Sequence, residues 1–157
     1  MSNMKLIGEA ARNSSRQLAM KSGSVRNDAI SCIGEKILEN LDPILEANNK
    51  DIVAAKKAGL TEASVDRLLL TEDRLRSIVN DISNVISLQD PLGVMFDTKN
   101  MPNGLQVGKK RVPLGVIGVI YESRPNVTVD ISVLCIKSGN AAILRGGSES
   151  FNSNLAL

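Results

Sequence analysis

The run over residues 111–149, RVPLGVIGVIYESRPNVTVDISVLCIKSGNAAILRGGSE, constrains this chain more than any other stretch of it. Val116, Ile117, Val119, Ile120 and Tyr121 form a continuous apolar piece interrupted only by Gly118. With Val112 ahead of it, such a piece predicts a parallel strand covered on both faces. Pro125 fixes one backbone dihedral and keeps Arg124 out of the helical region, so 122–126 reads as a turn. Asn126 or Thr128 caps the helix that follows. Val129, Val133, Leu134 and Ile136 give that helix its apolar surface, Lys137 lies in its last turn and Gly139 stops it. Residues 141–144 are a second apolar strand. Strand, helix and strand within about 30 residues make one crossover between parallel neighbours.

Open parallel sheets bind ligands beyond the carboxyl ends of their strands. That rule selects two groups, residues 121–126 and residues 145–149. At the second exit Arg145 can grip a phosphate bidentately, and Gly146 and Gly147 let a ligand approach the backbone. Ser148 can cap a helix that begins there and can bond a sugar or phosphate oxygen. Read from the residues alone, a tight turn and a nucleotide loop both fit this pattern. The G-x-G-x-x-G pattern is absent after Tyr121, so a standard dinucleotide pyrophosphate clamp is not expected.

The preceding residues are helical in pattern. Met4, Ile7, Ala11, Ser14 and Leu18 recur at threes and fours, and Ala29, Cys32, Ile33, Ile37, Leu41, Ile44 and Leu45 form a clearer stripe. Pro43 interrupts that stripe and a fresh turn starts near it; the helix then runs over 48–58 to Gly59. Ser64 or Asp66 caps a brief helix over 68–70. Thr71 caps another, with Glu72 and Asp73 in its first turn and Leu75, Ile78, Val79, Ile82 and Val85 on its apolar side. Beyond residue 86 the periodicity changes. Residues 92–98 and 105–111 read as strands around a turn whose signal is Asn103-Gly104. That ribbon fits an ordinary hairpin or an arm that pairs across a subunit boundary. The resulting division is a helical part over 1–85, a ribbon over 86–111 and a strand–helix–strand unit over 112–157.

Composition removes several function classes. A net charge of +2 gives no footprint for nucleic acid. No apolar run approaches the length of a membrane span, and no secretory leader is visible. The absence of histidine leaves no Ser-His or Cys-His couple and no zinc site within the sequence. Cys32 and Cys135 lack metal or redox spacing and read as buried small hydrophobes in a reduced, cytoplasmic protein.

The stretches VPLGVIGVIYESRPNVTVD and LCIKSGNAAILRGGSE resemble the gamma-glutamyl phosphate reductase (glutamate-5-semialdehyde dehydrogenase) family of the aldehyde dehydrogenase superfamily. The NNKDI segment and PNGLQVGKKRVPLG resemble it too, so the likeness covers essentially the whole chain but less than half of a full family member. It implies an α/β, aldehyde-dehydrogenase-like fold: N-terminal helices, a β-ribbon arm and the start of a parallel, Rossmann-like sheet. It implies NADPH-dependent reduction of L-glutamate 5-phosphate to the semialdehyde in proline biosynthesis, by a homo-oligomer joined through the 92–111 ribbon. Ile120, Tyr121, Glu122 and Ser123 fall on the nicotinamide side. Ser123 stands where the superfamily has an asparagine near the reacting oxygen. Arg145 replaces a lysine that contacts the adenosine ribose or its phosphate, and Gly146 and Gly147 follow it. Ser148 replaces a glutamate against the 2′-hydroxyl, which leaves room for a 2′-phosphate. The family's nucleophilic cysteine is expected further along, so the 157 residues alone are expected to be inactive. A non-catalytic nucleotide-binding module and an oligomerisation fragment are the alternatives.

Overall fold

The computed structural model describes residues 3–157 as a helical layer followed by two small sheets. Helices α1 (Asn3–Ala19), α2 (Gly23–Glu39), α3 (Leu41–Lys57), α4 (Glu62–Leu68) and α5 (Glu72–Ser87) come first. Strands β1 (Met95–Asn100) and β2 (Gln106–Lys110) pair antiparallel. Strand β3 (Val116–Ile120), helix α6 (Pro125–Lys137) and strand β4 (Ala141–Arg145) form the crossover unit, and a 3-10 turn over Ser148–Ser150 leads into α7 (Phe151–Ala156). Within that unit β3 and β4 are parallel, from Val116 opposite Ala141 to Ile120 opposite Arg145.

Local chemistry explains most boundaries. Asn40 separates α2 from α3, and Pro43 falls in the first turn of α3, where a missing N–H costs nothing. The Thr71 hydroxyl accepts from Arg74 N at 3.2 Å, as expected of a cap. The short helix α4 departs from the sequence reading. It starts at Glu62 and is capped by Thr61, whose hydroxyl accepts from Ser64 N at 3.3 Å; neither Ser64 nor Asp66 caps it. The cap of α6 departs as well. Arg124 occupies the cap position, Pro125 opens the helix, and Asn126 and Thr128 lie inside it with other partners. Gly139 ends α6 at φ +72, and a Cβ there would sit 2.7 Å from Leu92 and 2.9 Å from Pro113.

The core lies between α2, α3, α5 and α6. Ile30, Ile37, Ile44, Leu70, Leu75, Ile78, Ile82, Val129 and Val133 are all buried in one cluster. Each such side chain stabilises the fold by about 1.5–3 kcal/mol relative to exposure. Helix α6 therefore serves two layers: it packs on α2 and α5 and also crosses to β4. In α2 the buried line is Arg26, Ile30, Gly34 and Ile37, so Cys32 is exposed, contrary to the stripe read from the sequence. Helix α5 selects that line, because a Cβ on Gly34 would touch Val79 at 3.5 Å and Ile82 at 3.7 Å. Cys135 is buried, as expected.

Buried polar groups join distant segments. Arg26, 3% exposed, donates to both Asp90 oxygens at 2.7 and 2.6 Å and to the Lys21 carbonyl at 2.7 Å. Lys137 reaches Asn27 Oδ1 and the Ile86 carbonyl, linking α6 to α2 and the end of α5. On α3, Asn48 bonds the Leu68 carbonyl and Leu70 N, while Asp51 accepts from Ser153 N, Ser153 Oγ, Asn152 N and Asn152 Nδ2. One carboxylate thus fixes the first turn of α7 from the middle of α3.

The sheet differs from expectation in its covering. Strand β3 alternates between exposed and half-buried positions, and Ile120 is 87% exposed. It is covered on one face, not two. Among the described residues the helices on this sheet are α1, which packs mainly on β4, and α6.

Candidate functional site at the strand exits

The two strand exits meet as the parallel register requires. Tyr121 N donates to the Arg145 carbonyl at 3.1 Å, which extends the β3–β4 ladder to the point where both chains turn away. From there a relay of side chains fixes the Gly-Gly turn. Thr128 Oγ1 donates to Asn154 Oδ1 at 2.9 Å, so the 2.6 Å contact from Tyr121 to Thr128 is donated by the tyrosine. Asn154 Nδ2 donates to Ser150 Oγ at 3.0 Å, and Ser150 Oγ donates to the Gly147 carbonyl at 3.2 Å.

Around this relay lies a cavity of about 490 Å³ lined by Tyr121, Arg145, Gly146, Gly147, Ser148 and Phe151 among others. A smaller one of about 360 Å³ is lined by Glu122, Ser123, Gly147 and Glu149, with Ser64 and Arg67 from α4. The structure therefore brings seven of the sequence candidates to two adjoining hollows that share Gly147. Ile120 borders neither and projects from the open face of β3. Arg145 is exposed, and among the described residues its guanidinium donates only to the Gly146 carbonyl, at 3.1 Å. Ser148 opens the 3-10 turn and caps no helix.

The glycines are constrained by packing as well as by any ligand. A Cβ on Gly146 would collide with Asn154 Nδ2, and one on Gly147 with Ser123 Oγ and the Glu149 carboxylate. Ser123 Oγ donates to Glu149 Oε2 at 2.5 Å. That bond is the main reason the Glu149 carboxyl lies below its usual value, helped by backbone and Ser148 donors. Glu122 sits between two cations, 2.8 Å from Arg124 Nε and 3.9 Å from Arg67 Nη1.

The sequence pattern gives Thr128 only a capping role, Asn154 none, and Glu149 no role beyond its place in the 145–149 exit. Thr128 instead joins the relay between Tyr121 and Asn154, and Asn154 offers no signal in the sequence. Glu149 did carry one, an acid directly after Gly-Gly-Ser at a strand exit. The cysteines stay outside both hollows. Burial raises the Cys135 thiol, and Cys32 lines a groove with Lys36, Asn40 and Leu157. Among the described residues there is no metal-binding group of His, Cys, Asp and Glu side chains, and no helix is long and apolar enough to cross a membrane.

No protein-family model matches the chain. Individual relatives do. The chain is 51% identical over 155 residues to a gamma-glutamyl phosphate reductase of Photobacterium profundum, covering 99% of this chain and 37% of the relative. It is 54% identical over 151 residues to one from Vibrio vulnificus, covering 96% and 36%. The chain is strongly homologous to gamma-glutamyl phosphate reductases. The crystal structure of the gamma-glutamyl phosphate reductase from Thermotoga maritima superposes with a TM-score of 0.92 at 42% identity, over 94% of this chain and 36% of that one. The Saccharomyces cerevisiae gamma-glutamyl phosphate reductase gives 0.92 at 38%, over 98% and 39%. The chain thus spans little more than a third of the length of these reductases. Its helical layer and two small sheets form an α/β fold consistent with a partial aldehyde-dehydrogenase-like architecture.

Proposed function

We propose that this chain forms the cofactor floor of an NADPH-dependent reductase that converts L-glutamate 5-phosphate to L-glutamate 5-semialdehyde and phosphate in proline biosynthesis, in the cytoplasm. The observation that carries the reading is the convergence of Tyr121, Arg145, Gly146, Gly147 and Ser148 on one cavity at the end of a parallel strand pair. The donor set suits the cofactor. Among the described residues the Arg145 guanidinium has a single backbone acceptor, which leaves donors for a 2′-phosphate, and Ser148 beside it is exposed. NADPH, when bound, supplies the hydride.

The chain's own residues orient and polarise. Tyr121 and its relay hold the Gly-Gly turn rigid. Ser123, bonded to Glu149, lies on the side of the reacting carbonyl, with Ile120 and Glu122 completing the nicotinamide side. Reduction of an acyl phosphate through a thioester needs an activated thiolate and donors aimed at the developing oxyanion. Neither Cys32 nor Cys135 borders the strand exits, so the thiolate in this reading comes from polypeptide beyond these 157 residues, which turn over no substrate alone.

Within this reading residues 1–85 and 112–157 belong to the cofactor-binding part, and the ribbon over 86–111 joins subunits of a homo-oligomer. The complete exposure of β1 and β2 supports the second role. The test is steady-state kinetics of a reductase carrying this sequence. Arg145→Ala is expected to raise the NADPH KM by about tenfold or more with little change in maximal rate. An unchanged KM removes Arg145 from the phosphate site.

A further inference from the structure

A third cavity, of about 430 Å³, is lined by Asp66, Arg67, Arg74, Asp81, Arg124 and Asn126 among others, and none of its lining residues borders the Arg145 cavity. It shares Arg67 with the small hollow that contains Ser123. Its three arginines are not equivalent. Arg74 is held at both Nη groups, donating to the Asp66 and Leu69 carbonyls at 2.6 and 2.8 Å and to Asp66 Oδ1 at 2.7 Å. Arg124 meets only Glu122, through Nε at 2.8 Å, and its two Nη groups make no hydrogen bond among the described residues. Among the described residues Arg67 meets only the other oxygen of Glu122, at 3.9 Å.

Two guanidiniums therefore share one carboxylate, leaving unused Nη donors, those of Arg124 directly after Ser123 in the chain. We propose that Arg67 and Arg124 bind the phosphoryl group of an acyl phosphate, and that Glu122 holds the pair together until that anion displaces it. A planar fork with free Nη donors suits a tetrahedral dianion better than it suits a single carboxylate already at hand. Asp81 is the one lining carboxylate with no cation partner among the described residues, and it suits an ammonium end of the same ligand. The proposal rests on the reductase reading for the identity of the acyl phosphate, and neither arginine lines the Arg145 cavity.

The test is calorimetric titration of the 157-residue chain with three probes: the phosphonate isostere of L-glutamate 5-phosphate, glutarate and NADPH. The isostere is expected to bind saturably and glutarate to bind at least about tenfold more weakly. Arg124→Gln and Arg67→Gln should each weaken the isostere about tenfold or more and lower NADPH affinity by clearly less. Glu122→Gln should tighten the isostere, an opposite sign that a loss of folding does not produce. Equal isostere affinity in the parent and in Arg124→Gln overturns the proposal, as does NADPH binding without isostere binding, or glutarate binding as well as the isostere. Isostere binding without NADPH binding removes the cofactor reading and leaves the anion site standing. Binding of neither removes both.

Discussion

Ser123 Oγ and Glu149 Oε2 lie 2.5 Å apart and tie the exit of β3 to the exit of β4 across Gly147. The bond closes the small hollow where the reading puts the reacting carbonyl, so a ligand reaching Ser123 must either tolerate or replace Glu149.

That bond gives a pH signature. Donation from Ser123 holds the Glu149 carboxyl below the usual 4.5. A carboxyl depressed in the folded state contributes stability that is present above its unfolded value and lost as pH falls through the folded value. The carboxyl carbon resonance of Glu149 should therefore titrate below the usual 4.5, and Ser123→Ala should move its midpoint upward. A Glu149 midpoint that does not move in Ser123→Ala contradicts the bond.

The Asp51–Ser153 connection predicts a stability effect far from the site. Asp51→Ala leaves Ser153 N and Ser153 Oγ without their acceptor in a buried place, and takes the acceptor from Asn152 N and Nδ2 as well. The expected loss is about 2–4 kcal/mol, read as a lower urea midpoint. Because α7 carries Asn154 of the relay, the same variant should also weaken nucleotide binding. A midpoint within error of the parent contradicts the role given to Asp51.

The two cysteines should separate cleanly by reactivity. Cys32 is exposed, whereas Cys135 is 5% exposed with its thiol raised by burial. A thiol reagent should modify Cys32 in the native chain and Cys135 only on unfolding, and a Cys32→Ser variant should show no fast phase.

Much of this architecture is legible in the sequence because the signals are local. Thr71, Pro43, Pro125 and Gly139 mark boundaries through backbone chemistry that needs no tertiary partner. The Arg145-Gly146-Gly147 exit follows from strand direction alone. What was not legible depends on packing. The buried line of α2 contains Arg26 and Gly34, which hydropathy disregards; Asp90 and the close approach of α5 make it the inner face. The open face of β3 has the same composition as a covered one, and only the placement of α1 and α6 tells them apart. Asn154 acquires its role because Asp51, a hundred positions earlier, sets the first turn of α7 beneath Thr128.

The most direct test of the cofactor floor is equilibrium titration of the 157-residue chain with NADPH, followed by nucleotide fluorescence, in the parent and in Arg145→Ala. The account predicts saturable binding in the parent, weaker by about tenfold or more in the variant, with NADH bound less tightly than NADPH by the parent. Absence of saturable binding, or equal affinity in parent and variant, would contradict it.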